Sequence, residues 1–252
     1  MGAGNQWVIN GTLVALVALL CSSGVAQKAA YPGTMPLDVI VQSLQKAQSA
    51  VHPRGSYQII REYRLSGAKD SKVDSQVVAE VNFKPPASEG YRIERYSGSS
   101  RGQQLVRSVL DHEVEVTSKN NKDRSAISRD NYTFSYLGEA SLDGQSCYVL
   151  GLKPKRTDKD LISGQVWVDK RSFLIRQIQG DVEKTPSWWL KKVRITLVFA
   201  ELEGTWVQKS MEAVADVRLV GIHTLTSRIL DYRRESEVAA TPVPSNATFR
   251  KQ

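Results

Sequence analysis

Cysteine and histidine are scarce in this chain. Of its 252 residues, two are Cys and three are His. Cys21 lies in an apolar N-terminal run, which leaves Cys147 alone in the remainder. A single thiol closes no intrachain disulfide, so stability has to come from a packed core. Cys147 sits in "CYVLGL", a strand pattern, and reads as a buried, inert thiol rather than a nucleophile. His52, His112 and His223 fall on three different predicted elements, which argues against a metal site. His112-Glu113 opens like a zinc-binding helix, but Glu115 and Val116 follow where a second His is needed.

Other chemical grammar is missing as well. No G-x-S-x-G is present, so the nucleophile elbow of a hydrolase is not expected. "SGSSRGQQ" contains glycine but lacks the strand-to-helix context of a phosphate loop. Asp169 and Asp181 flank a strand pair and read as turn residues. The expectation is a protein with no catalytic residues, no metal and no cofactor.

Long hydrophobic runs are limited to "TLVALVALLCSSGVA", Thr12 to Ala26. This is too short to span a bilayer. Gly24 and Ala26 occupy the −3 and −1 positions of a small-residue cleavage site, so residues 1–26 read as a secretory signal peptide cut after Ala26, with the periplasm as destination. The segment before the run has no Lys or Arg, which leaves a buried N-terminal helix as the other reading. A lipid anchor on Cys21 is a further alternative, but Leu20 is bulky where bacterial lipoboxes place a small residue.

Charge is plentiful and mostly positive, with a formal net charge of +8. The basic residues are dispersed over "KPKR", "DKR", "LKKVR" and "DYRR" rather than gathered on one element, which, with secretion, excludes nucleic acid as the expected partner. Diffuse positive charge suits contact with an anionic membrane surface or an acidic partner, and also a plainly soluble basic surface.

Periodicity organises the rest. "TMPLDVIVQSLQKAQSAV" reads as a helix, with Thr34 as a cap, Pro36 in the first turn, and Leu37, Ile40, Val41, Leu44, Ala47 and Val51 on one face; His52-Pro53 ends it. Three strands with period-2 alternation follow, the second placing Val77, Ala79, Val81 and Phe83 on one side. Residues 100–117 change to helical spacing, and "SKNNKDRS" reads as a loop. From Tyr132 onward seven strand patterns are joined by short turns, among them Leu142-Asp143-Gly144, Asp169-Lys170-Arg171 and Glu203-Gly204. Residues 237–252 show no period and read as a loose tail.

About ten strands without βαβ alternation imply one antiparallel meander in a single domain, 27–236. The fold class is mainly β (α+β): an incomplete antiparallel barrel whose open side is covered by helices. In "TPSWWLKKVRITLVF", alternation puts Trp189, Val193, Ile195, Leu197 and Phe199 on one face, with Lys191 interrupting, and Trp188 on the other. Trp189 then heads an apolar row at the rim, either as core packing or as the entrance lining of a cavity.

"CYVLGLKPKR" followed by "GQVWVDKRSFLIRQI" resembles the middle of the LolA-like superfamily. That group contains periplasmic lipoprotein carriers, their outer-membrane receptors and RseB-like envelope-stress regulators. The matching residues are Tyr148, Leu150, Leu152 and Pro154, then Val166, Trp167, Val168 and Asp169, then Leu174 and Ile175. The resemblance implies an open antiparallel barrel with helices over its mouth, holding acyl chains or another lipid on a concave apolar face. It implies a carrier or chaperone in outer-membrane lipoprotein sorting, and alternatively an RseB-like stress sensor that holds an envelope protein partner. On this reading Trp189, Val193, Ile195, Leu197 and Phe199, with Val77, Val81 and Phe83 and with Ile40 and Leu44 of the first helix, contact the ligand. No counterpart is evident in the sequence for the arginine with which the carriers lock their lid.

Overall fold

The computed structural model describes residues 35–51, 55–67, 73–84, 88–117 and 122–234. The expected signal peptide, Thr34, His52-Pro53 and the tail lie outside them.

Ten strands form one antiparallel sheet: β1 (Tyr57–Ser66), β2 (Val73–Lys84), β3 (Ser88–Gly98), β4 (Tyr132–Leu142), β5 (Gln145–Pro154), β6 (Ile162–Asp169), β7 (Ile175–Val182), β8 (Leu190–Leu202), β9 (Thr205–Val217) and β10 (Gly221–Arg234). The order across the sheet is β3-β2-β1-β10-β9-β8-β7-β6-β5-β4. It is a meander in which the first strand pairs with the last, so its two edges fall at β3 and β4, where the chain leaves the sheet to form helices. The sheet is therefore open. Three helices complete the fold: α1 (Leu37–Ala50), α2 (Ser100–Thr117) and the single turn α3 (Lys122–Ser125), which stands where a loop is expected from "SKNNKDRS".

Turn chemistry sets the strand ends. Asp143-Gly144 and Glu203-Gly204 take positive φ at both positions (49° and 77°; 47° and 76°), as two-residue hairpins of right-twisted strands require. The β6–β7 turn is built differently. Asp169 Oδ1 accepts from Arg171 N, Ser172 N (both 2.9 Å) and Ser172 Oγ (3.1 Å), and Oδ2 accepts from Arg176 Nε (3.1 Å). Phe173 takes φ 57°, so β7 begins only at Ile175. Asp181, by contrast, lies within β7 and pairs with Lys192 and Arg194 of β8.

Helix α1 starts two residues later than a cap at Thr34 implies. Pro36 is its N-cap rather than a first-turn residue, and Val39 N and Ile40 N donate to Pro36 O. The start of α2 is held close to the sheet. Gly98 has φ 95°, and a Cβ there would overlap the carbonyl of Asp74. Ser99 N donates to Ser75 Oγ (3.1 Å), and Ser99 Oγ caps the helix by accepting from Gly102 N (3.1 Å).

Both longer helices pack on the same, inner face of the sheet. Under α1, the buried Ile40, Val41 and Leu44 meet Tyr132, Tyr148, Leu150, Leu152, Val166, Val168 and Ile178. Under α2, Val106 and Leu110 meet Tyr63, Leu65, Val77, Ala79, Val81, Met211 and Leu225. Leu197 of β8 touches both clusters, so one apolar face runs across the sheet with a helix over each half.

Candidate functional site: the helix-covered inner face

The inner face is built by alternation, and its two clusters collect most of the expected contact residues. Ile40, Leu44, Leu197 and Phe199 belong to the α1 half; Val77, Val81, Ile195 and again Leu197 belong to the α2 half. Val193 is half-buried on the same face, opposite Ala215 of β9. Phe83 stands apart. It stacks on Tyr57 at 4.9 Å between ring centroids, and Tyr57 stacks on Tyr232 at 5.6 Å, forming an aromatic row outside both clusters.

Trp189 does not head the apolar row. The pairing of β8 with β9 slips between Leu190 and Lys192: Leu190 opposes Val217, and Lys192 opposes Asp216. This bulge at Lys191 inserts one residue and reverses the parity of everything before it. Leu190, 9% exposed, therefore joins the side of Val193 and Ile195, while Trp189 lies in the β7–β8 loop, 37% exposed. The lysine that seemed to interrupt the alternation is the bulge.

The helices fill the inner face rather than roofing an empty space. Ile40, Leu44 and Val106 are fully buried, and Val41 and Leu110 nearly so. A cavity of about 300 Å³ opens instead on the opposite, outer face, lined by Glu62, Arg64, Thr226, Ser227 and Arg228. It is polar: Glu62 accepts from Arg228 Nε (2.7 Å), Arg64 Nη2 (3.2 Å) and Gln76 Nε2 (2.5 Å). Burial pushes the Glu62 carboxyl up, but the bonds and charges of Arg228 and Arg64 outweigh it and hold the pKa below the usual value.

One polar cluster interrupts the inner face. Arg61 of β1, between Ile59 and Tyr63 on the same side, is 7% exposed. Its Nη2 donates to the carbonyl of Gln208 on β9 (2.7 Å), and its Nη1 lies 3.8 Å from Glu113 Oε1 on α2. Tyr63 OH donates to Glu113 Oε2 (2.9 Å). Burial raises the pKa of Glu113, with Arg61 and Tyr63 pulling the other way. Burial likewise raises the Tyr63 phenol, reinforced by the Glu113 charge. The group ties α2 to β1 through charge and hydrogen bonding, alongside the apolar packing of Val106 and Leu110. The sequence carried a trace of it, since Arg61 breaks the apolar alternation of its strand; its partner 52 positions later on a helix is invisible to a local pattern.

Residues singled out for reactive chemistry are placed structurally. Cys147 is fully buried, and burial raises its thiol pKa. His112 lies 3.3 Å from Asp160 and 3.6 Å from Glu115. Among the described residues, no group of three or more His, Cys, Asp or Glu side chains could hold a metal ion. What the inner face offers is apolar contact area covered by two helices, with one buried charged tie.

A family model described as "Uncharacterized protein" matches residues 90–219, from β3 to the β9–β10 turn, just over half of the chain. The chain belongs to this family. No curated protein matches. Among solved structures, it is similar to a candidate outer membrane lipoprotein-sorting protein domain from Vibrio parahaemolyticus, at 16% identity and a TM-score of 0.41, covering 79% of this chain and 94% of that one. A DUF1329 family protein from Desulfovibrio piger aligns at 16% identity and a TM-score of 0.40, over 82% of this chain and 96% of that one. A LolA superfamily protein from Nitrosomonas europaea aligns at 14% identity and 0.36, over 81% and 95%.

Proposed function

We propose that this protein is a periplasmic binding protein for lipid or lipoprotein acyl chains, acting as a carrier without a chemical step. One observation carries the reading: a single apolar face extends across an open sheet and is covered by two separate helices instead of a second sheet. Helices that come from separate chain segments can move independently, and each CH₂ of an acyl chain transferred to such a face gains about 0.8 kcal/mol. The described face is occupied by Ile40, Val41 and Leu44 on one half and by Val106 and Leu110 on the other. This is the closed form, and an acyl chain would take the place of one helix's side chains. Among the described residues no helix is long and apolar enough to cross a membrane.

The test is native mass spectrometry of protein recovered from its own envelope, together with titration by a fluorescent fatty acid. Co-purified lipid and saturable uptake are expected. A protein that is always recovered without lipid and takes up no fatty acid overturns the proposal, and a stoichiometric protein partner in its place supports the regulatory role instead.

A further inference from the structure

Among the described residues, the three most exposed large apolar side chains, Leu219, Trp188 and Val220, gather at one rim of the sheet. Trp188 is 83% exposed, Leu219 103%, Val220 60% and Ile222 46%, and Trp189 is partly exposed beside them. They come from the β7–β8 loop and from the β9–β10 turn with the first residues of β10, which meet because β8 and β9 pair from Leu190↔Val217 onward. Arg218 fastens the loops together: its backbone N donates to Trp189 O (2.8 Å), and its Nε donates to Trp188 O (2.9 Å). The rim is therefore a built feature rather than two independent tips.

Folding does not account for it. Leu219 adopts φ 73°, a left-handed conformation that suits Gly or Asn and strains a residue with a Cβ. A strained leucine with a wholly exposed side chain contributes nothing to the core. Strain and exposed apolar surface at the same position are marks of a contact made with something else.

We infer that this rim docks the protein on an anionic lipid surface. The order of chemistry along the chain matches the layers of such a surface. The apolar tips come first. Lys191 and Lys192, side chains 51% and 56% exposed, follow immediately at the start of β8, where a strand rise of about 3.3 Å per residue sets them at headgroup depth. Lys191 pairs with Asp216 at 3.5 Å and Lys192 with Asp181 at 2.9 Å, so both lysines are anchored at the start of β8, next in the chain after the apolar tips. Indole rings settle at the boundary between headgroups and acyl chains. The formal net charge of +8 supplies the longer-range attraction to anionic lipid. The tips project rather than line a groove, which suits a deformable lipid surface better than a shaped protein partner. The inference is independent of the acyl-chain reading.

The experiment is flotation of the full chain with vesicles of phosphatidylglycerol and phosphatidylethanolamine. It compares wild type with the Trp188→Ser/Leu219→Ser double variant and with Leu219→Gly, and thermal melts are run on all three. Wild type should float with the vesicles. The double variant should partition at least tenfold less with an unchanged melting temperature. Leu219→Gly should bind less while melting no lower, because the glycine relieves the strained backbone. Equal flotation of wild type and the double variant overturns the inference, as does a wild type that stays in solution. A wild-type dimer in sedimentation that the double variant abolishes, without vesicle binding, also overturns it by naming a second copy as the occupant.

Discussion

Asp169 shows how much one side chain can carry. It is 3% exposed, and its carboxylate takes two backbone N–H groups, a hydroxyl and the Arg176 guanidinium. Burial pushes its pKa up, but the bonds from Ser172, Arg171 and Arg176 outweigh that and hold it below the usual value. Removing the carboxylate strands those donors, and bonds to a charged group are worth about 1.5–3 kcal/mol each. Asp169→Ala should therefore cost about 3 kcal/mol or more at pH 7, read by urea denaturation. Because the folded pKa is depressed, the stabilisation is present above the unfolded value of about 3.9 and is lost as the pH falls through the folded one. The gap between wild type and variant should narrow below pH 4; a gap of constant size would show that charge is not its source. Serving as a turn residue was legible from the sequence; burial and the Arg176 contact, seven residues on, were not.

Between elements, the informative contact is the one joining α2 to β1. A buried ion pair is weak evidence for stability, yet breaking one half is costly because the other charge is left in a poor solvent. Arg61→Leu alone should destabilise by about 3–5 kcal/mol. Adding Glu113→Leu should recover most of the loss, since no orphaned charge remains; simple additivity of the two substitutions would refute this account. The Glu113 pKa is raised, so the sign is opposite to that of Asp169. The stabilisation from its protonated form is fully present below the unfolded value of about 4.3 and is lost as the pH rises through the folded value. Wild type should lose stability relative to Glu113→Gln over that interval. The strands themselves were readable because period-2 alternation is a local property, and α2 appears over residues 100–117 as its spacing predicts. Bulges were not readable. The extra residue at Lys191 leaves the composition of the strand unchanged while moving Trp189 off the inner face.

At the scale of the molecule, the question is whether the inner face is a finished core or a closed container. Leu44 is fully buried against the sheet, so Leu44→Ala should cost about 2–5 kcal/mol in lipid-free protein. If α1 must yield for an acyl chain to enter, weakening its packing raises the population of the open form, and apparent affinity rises with it. Leu44→Ala should thus melt lower and yet bind a fluorescent fatty acid at least tenfold more tightly than wild type. A lower melting temperature without a gain in affinity would mark the face as an ordinary core.

The amino-acid sequence alone determined the number and order of the strands, both long helices, the glycine turns and the antiparallel meander. Each follows from residues within a few positions of one another, through alternation, helical spacing or backbone freedom. Tertiary structure alone decided that β1 pairs with β10, that the edges fall at β3 and β4, that Arg61 meets Glu113, and that Trp188 and Leu219 share a rim. These depend on distant segments choosing one another, and the free energy of that choice comes from burying one continuous apolar face. No single segment contains that quantity.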